Sequence, residues 1–295
     1  MDAINKKSLT LQTGDGLRLT ATLFEPSSET NGDVLVIASA LGVPRYFYFK
    51  FAGFLASKGF SVITFDYRGI YESRKVARSG SEMTMDEWGK FDIEAALKYA
   101  LDKLNSKRLL YMGHSCGGQL LGLAPSCTEI DRIAFVACQL GYWRLWPWPL
   151  SYGVLMTWQT ISFMVPFFDY LPTRKMGISS LNLPNGVAEQ WSKWGKTKDY
   201  LFNDDLGLDT SLYRKLDKPL LSYHFSDDKL FAPEASVDAL LAKYEQATET
   251  RREIEPANIK AKSIGHFGFF KERFRETLWR ETLVWFENKD ADHIR

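Results

Sequence analysis

Ser115 lies in Gly113-His114-Ser115-Cys116-Gly117, a hydroxyl with a glycine two residues away on each side. The cluster follows the apolar run "LLYM" and precedes "GGQLLGLA", so it reads as a sharp turn from a buried strand into a helix. A serine on such a turn is a nucleophile candidate, because small neighbours let the backbone approach adjacent elements closely. The helix that follows begins with free N–H groups suited to a developing oxyanion, and the Cys116 N–H is one expected donor. A glycine-rich turn with a structural serine is the competing reading.

A serine nucleophile needs a base, and the chain has four histidines. His114 belongs to the turn and points away from the hydroxyl by alternation. His224 sits inside the strand-like "LLSYHF", where a core role fits better, and His293 lies in the polar tail "NKDADHIR". That leaves His266 in "SIGHFGFF", a glycine-flanked loop between the last expected strand and the last helix, as the chain order serine–acid–histidine requires. A packed loop histidine is the alternative. The acid is sought in "HFSDDKLFAP", where a carboxylate would orient His266 and stabilise its imidazolium form. The spacing to Pro233 favours Asp228, and Asp227 stays open. Either residue could instead cap a turn or helix.

These residues need a scaffold. "LTLQTGDGLRLTATLFEP" reads as a hairpin turning at Gly14-Asp15-Gly16. "DVLVIASA", "SVITFDYRG", "RLLYMGH", "RIAFVACQ", "KPLLSYHF" and "TRREIEP" read as strands separated by helical segments. Thr84 and Glu87 form a candidate capping box ahead of a helix in which Trp88, Phe91, Ala95 and Tyr99 share one face. Alternating strands and helices imply an α/β fold with a mostly parallel central sheet and helices on both faces. The expected core is 1–140 and 211–295, interrupted by a helical cap over 141–210.

That cap has its own composition, with six of the nine tryptophans. The 24 residues between Arg144 and Asp169 carry no formal charge, a length sufficient to cross a bilayer. Three prolines and several hydroxyl side chains interrupt the run. A crossing there would also split one sheet across the membrane. An apolar cap over the sheet is the better reading, with shallow lipid contact left open.

The totals exclude several classes. With 37 basic and 36 acidic side chains there is no field for gathering nucleic acid. Cys116, Cys127 and Cys138 are too few and too scattered for a disulfide framework or a zinc site. The first residues contain no apolar stretch of the secretory kind, and the cytoplasm is the expected compartment.

The pieces "FDYRGIYES", "GHSCGG", "SDDKLFAP" and "GHFGFF" occur in an order similar to that of the α/β-hydrolase superfamily. The chain resembles its capped serine hydrolases, such as monoacylglycerol lipases and serine aminopeptidase-like proteins, and more closely a group of predicted bacterial α/β hydrolases. The resemblance spans Asp33 to about Phe270. It implies hydrolysis of a small-molecule ester or thioester by Ser115, His266 and Asp228 (or Asp227), without metal or organic cofactor. Two departures stand out. Ser39-Ala40 replace a common His-Gly pair, which makes Leu41 the expected second oxyanion donor beside Cys116, and Tyr71 replaces a usual glycine, with a packing role expected. Trp146, Trp148, Trp158, Phe163, Phe167 and Phe168 would favour an apolar acyl or aromatic group, unless they only pack the cap. Acyl transfer, aminopeptidase action with Glu189 or Asp199 binding the amine, Cys116 as nucleophile, and a non-catalytic binding protein are the rivals.

Overall fold

Strand β1 (Ile4–Gln12) pairs antiparallel with β2 (Arg18–Pro26). In the turn between them Thr13 Oγ1 accepts from the Leu17 N–H at 2.9 Å. The structure, a computed structural model, describes residues 4–27, 29–75 and 78–288. β3 (Asp33–Ala38), β4 (Ser61–Phe65), β5 (Arg108–His114) and β6 (Arg132–Val136) are mutually parallel. A small ribbon, β7 (Tyr170–Leu171) and β8 (Leu183–Pro184), lies in the segment after β6. β9 (Pro219–Phe225) and β10 (Thr248–Ile254) complete an eight-stranded sheet of order β1-β2-β4-β3-β5-β6-β9-β10. Every residue of β3 and β6 is buried, as apolar runs covered on both faces should be.

The strand order places the site. β3 lies between β4 and β5, so the chain leaves it in opposite directions, and a crevice opens at the carboxyl ends of β3 and β5. Ala38 and Gly113 are partners across that pair. The residues just beyond them, Ser39–Leu41 and Ser115, therefore meet at the crevice.

The helix after the capping box departs from the expected face. The Thr84 N–H donates to the Glu87 carboxylate at 3.0 Å, as a capping box requires. Trp88–Ile93 then form a π-helical turn before the helix Glu94–Leu104. The wider turn rotates the face, leaving Trp88 buried but Phe91 and Tyr99 only half-buried. It also carries Asp92 into the interior, where both carboxylate oxygens accept from Arg68 at 2.8 Å, from its backbone N–H and from Nε. Arg68 reaches on to Asp15 in the hairpin turn at 2.7 Å. Tyr71 is not packed in the core. It is 43% exposed, with its ring against Tyr46, and its φ of 45° lies where glycine is at home.

Between β6 and β9 the chain forms two main helices, Leu150–Met164 and Asn185–Lys196. Trp158 of the first packs edge-on against Trp191 of the second, ring centres 4.4 Å apart, and Ser162 and Ser192 share a 2.9 Å hydrogen bond. Prolines stand at both ends of the first helix. Among the described residues no helix is long and apolar enough to cross a membrane.

Candidate active site

Ser115 follows β5 directly and caps the helix Cys116–Leu120, with φ 53° and ψ −114°. Such a conformation costs on the order of 1–3 kcal/mol and persists only when surroundings hold it. Here the Ser115 N–H donates to the Val136 carbonyl at 3.0 Å, and the Ser115 carbonyl accepts from Gly118 at 3.1 Å. Both flanking glycines are sterically required. A Cβ on Gly113 would lie 2.7 Å from the Gly118 nitrogen, and one on Gly117 would lie 2.6 Å from the Ala38 oxygen.

His266 and Asp228 meet 2.6 Å apart, both buried. Asp228 Oδ1 also accepts from the Phe231 N–H at 3.3 Å, which fixes the carboxylate. A carboxylate can only accept, so Nδ1 of His266 carries a hydrogen, which in the neutral imidazole leaves the lone pair on Nε2. Among the described residues no hydrogen bond joins that Nε2 to the Ser115 hydroxyl; such contacts commonly tighten when substrate arrives. Asp227 turns elsewhere, accepting from the Ile264 and Gly265 N–H groups at 2.8 and 3.0 Å and bracing the loop that carries His266.

The other histidines take separate roles. His224 is buried in β9, its Nδ1 4.0 Å from a Glu253 carboxylate oxygen, and His293 lies outside the described residues. His114 belongs to a relay that the sequence did not signal. The Ala40 N–H donates to the Tyr48 hydroxyl at 2.8 Å, and Tyr48 and His114 Nδ1 are 2.9 Å apart. His114 Nε2 lies 2.9 Å from the His266 carbonyl. That carbonyl only accepts, so Nε2 is protonated. Burial, reinforced by His266, pushes the His114 pKa well below its usual value, so Nδ1 is a bare acceptor and Tyr48 donates to it. The loop at Ala40, the turn at Ser115 and the loop at His266 are thereby tied together. Replacing Tyr48 by phenylalanine is expected to lower kcat about tenfold through misplacement, with KM nearly unchanged. A Tyr48→Phe enzyme that loses melting temperature but keeps kcat would show that the relay serves folding alone.

A cavity of about 240 Å³ opens at Ser115. Leu41 and Cys116 line it with Ser115, as do Trp146 and Trp158. Trp148 and Phe163 do not, contrary to expectation. They are 79% and 73% exposed: Trp148 precedes the helix, and the helix turns Val154, Thr157 and Trp158 inward and Tyr152, Met156 and Phe163 outward. Phe167 and Phe168 are exposed as well. The wall further includes Gln119, Gln139, Met176, Ile178, Trp191, Leu230 and Phe231, which the sequence reading missed. Among the described residues no charged side chain lines the cavity, and Glu189 and Asp199 lie outside it, exposed. The Cys116 thiol is buried, points at the Ser39 carbonyl at 3.4 Å, and is pushed well above its usual pKa by burial, so it is a poor nucleophile.

Residues 33–147 match the family described as alpha/beta hydrolase fold. The sequence matches no curated protein. Among solved structures, a soluble variant of monoglyceride lipase from Saccharomyces cerevisiae superposes with a TM-score of 0.66 at 16% identity, covering 95% of each chain. An esterase from Exiguobacterium antarcticum gives 0.60 at 14%, covering 95% of this chain and 99% of its own. An esterase of Pyrococcus furiosus gives 0.59 at 15%, covering 96% and 91%. At such identities the likeness is one of fold.

Proposed function

We propose that this chain, which by its fold belongs to the α/β-hydrolase superfamily, is a serine hydrolase of carboxylic esters or thioesters bearing an apolar acyl or aromatic group. The observation that carries the reading is Ser115, held on a strained turn that lines an uncharged cavity, while His266, bonded to Asp228, has its ring 5.1 Å from that of Phe231 in the same cavity wall. The names of the structural neighbours, esterases and a monoglyceride lipase, agree with ester substrates.

In this mechanism Ser115 Oγ attacks the carbonyl carbon as His266 Nε2 takes its proton. The oxyanion is received by the N–H groups of Cys116 and Leu41. The intermediate collapses, the bond to the alcohol or thiol breaks, and His266 protonates that leaving group. Water then attacks the acyl-enzyme, gives its proton to His266, and the acid departs as Ser115 recovers its hydrogen. Asp228 holds the imidazole and stabilises its charged form without accepting the proton. Aminopeptidase action fits less well, since no carboxylate lines the cavity to bind an amine. Three buried free cysteines agree with a reducing cytoplasm.

The test is a series of p-nitrophenyl esters from acetate to laurate. A cavity of about 240 Å³ is at the small end for ligand sites, so turnover should peak at short to medium chains. Folded protein that turns over none of them above the buffer blank would contradict the reading.

The outer face of the Leu150–Met164 helix adds a lipid surface to this proposal. Tyr152, Met156 and Phe163, 56, 62 and 73% exposed, form one stripe, continued by Trp148 and Phe167 at its ends. Exposed aromatic and sulfur side chains without charge suit shallow insertion at the headgroup boundary. The other face of the same helix walls the cavity, so ester delivered by a membrane would arrive beside Ser115. Serine at both Met156 and Phe163 is expected to weaken sedimentation with neutral phosphatidylcholine vesicles by about tenfold, near 1.4 kcal/mol. Equal sedimentation of the variant would remove the lipid role.

A further inference from the structure

Two side-chain amides interrupt the apolar wall beside Ser115. Gln119 lies one helical turn beyond the serine and Gln139 follows β6; both are buried and both line the cavity. Their orientation is set from one end. The Phe231 carbonyl can only accept, so Gln139 presents Nε2 to it at 3.1 Å. Gln139 Oε1 is then the acceptor for Gln119 Nε2 at 2.6 Å, and Gln119 Oε1 accepts from the Tyr200 hydroxyl at 3.1 Å.

An amide nitrogen carries two hydrogens, and each of these uses one. Among the described residues no protein acceptor takes the second. Three other side-chain donors of the wall are already committed. The Trp146 indole donates to the Leu230 carbonyl at 2.8 Å, the Trp158 indole to Gly141 at 3.2 Å, and the Thr157 hydroxyl to Gly153 at 3.0 Å. The Gln119 and Gln139 amides thus each keep one uncommitted hydrogen in a cavity wall that is otherwise largely apolar.

We propose that the part of the substrate filling this cavity carries a hydrogen-bond acceptor, an ether, keto or hydroxyl oxygen, received by the Gln119–Gln139 pair. The inference rests on the ester-hydrolase reading and narrows its substrate class from plain alkyl or aryl esters to oxygen-bearing ones. The reason is desolvation. A purely alkyl group expels water from the two amides and leaves their hydrogens bare, whereas an oxygen at the right place replaces that water. Sites built to bond a polar substrate group discriminate strongly against analogues that lack it. Gln119 is four residues past Ser115, about 6 Å along the helix axis, so the oxygen belongs a few bonds from the ester carbonyl.

Isosteric pairs test this without changing size. On the acyl side the pair is p-nitrophenyl hexanoate and p-nitrophenyl 4-oxahexanoate. On the alcohol side it is hexyl butyrate and the isostere with oxygen in place of one chain methylene near the ester. Each rate is divided by that ester's own hydroxide-catalysed rate. The oxygen-bearing member of at least one pair is expected to have a kcat/KM about tenfold higher, and Gln119→Leu or Gln139→Leu should bring that ratio to about one. Wild-type ratios within about twofold for both pairs overturn the proposal, as does a preference that survives both leucine variants; in the first case the amides brace Tyr200 and Phe231 and hold water. The wild-type ratios do not depend on the variants folding. Turnover of the plain alkyl esters checks the hydrolase reading separately. If they are not turned over, thermal shifts of Ser115→Ala with each pair decide the preference: a larger shift with the oxygen-bearing member supports it, and equal shifts overturn it.

Discussion

Replacing Ser115 by alanine is expected to lower kcat for p-nitrophenyl butyrate by between about 10⁴ and 10⁶ while leaving the melting temperature nearly unchanged. The hydroxyl makes no hydrogen bond to another group among the described residues, and its removal leaves the backbone bonds of the elbow in place. Alanine also tolerates the turn no worse than serine, because strain at φ 53° comes from the Cβ that both possess. In the proposed mechanism, what disappears is the atom that forms the acyl-enzyme. Residual activity should then be only what the oxyanion donors and cavity supply to attack by water. Steady-state kinetics with a thermal melt on the same sample checks both halves. A loss of less than about tenfold would mean that another group is the nucleophile.

The second large effect separates two neighbouring aspartates. Asp228→Asn should reduce kcat by about 10⁴, because an amide in that place no longer enforces a hydrogen on His266 Nδ1 or stabilises the imidazolium. Asp227→Asn removes two charge-assisted bonds from the Ile264 and Gly265 N–H groups. Its expected cost is about 1–3 kcal/mol of stability, with kcat changed less than about tenfold. Comparable kcat losses in the two variants, or the reverse order, would reassign the acid. Melts of both proteins distinguish a chemical loss from a folding loss.

Much of the scaffold was legible because local chemistry decides it. The hairpin turn, the capping box at Thr84 and Glu87, and the buried strands each rest on residues close in sequence. The glycines around Ser115 were legible for a related reason: only residues without a Cβ fit beside the Gly118 nitrogen and the Ala38 oxygen. Chain order pointed to His266 and to an acid before Pro233. Choosing between Asp227 and Asp228 needed the turn itself, since one residue's rotation sends one carboxylate to the imidazole and the other to the loop backbone.

Other features depend on distant segments and left no local signal. The cavity wall draws on Gln119, Gln139, Met176, Ile178 and Phe231, which meet only when the sheet and the segment after β6 come together. Phe163 reads as lining because an uncharged helix has no charged face to reveal which side turns inward, and Trp148 stands just before that helix, where no periodicity applies. The π-helical turn at Trp88–Ile93 answers to the buried Arg68, far away in sequence, and a helical period cannot anticipate it. The relay through Tyr48 joins three loops by single hydrogen bonds, none with a sequence pattern of its own.

The central claim is that Ser115 is an activated nucleophile. Intact-mass measurement after treatment with a fluorophosphonate tests it most directly, on the wild-type protein and on Ser115→Ala side by side. A single phosphonyl adduct is expected on the wild type, mapped to the peptide containing Ser115, and none on the variant. An adduct that persists in Ser115→Ala, or folded wild-type protein that stays unlabelled even with detergent present, would contradict it.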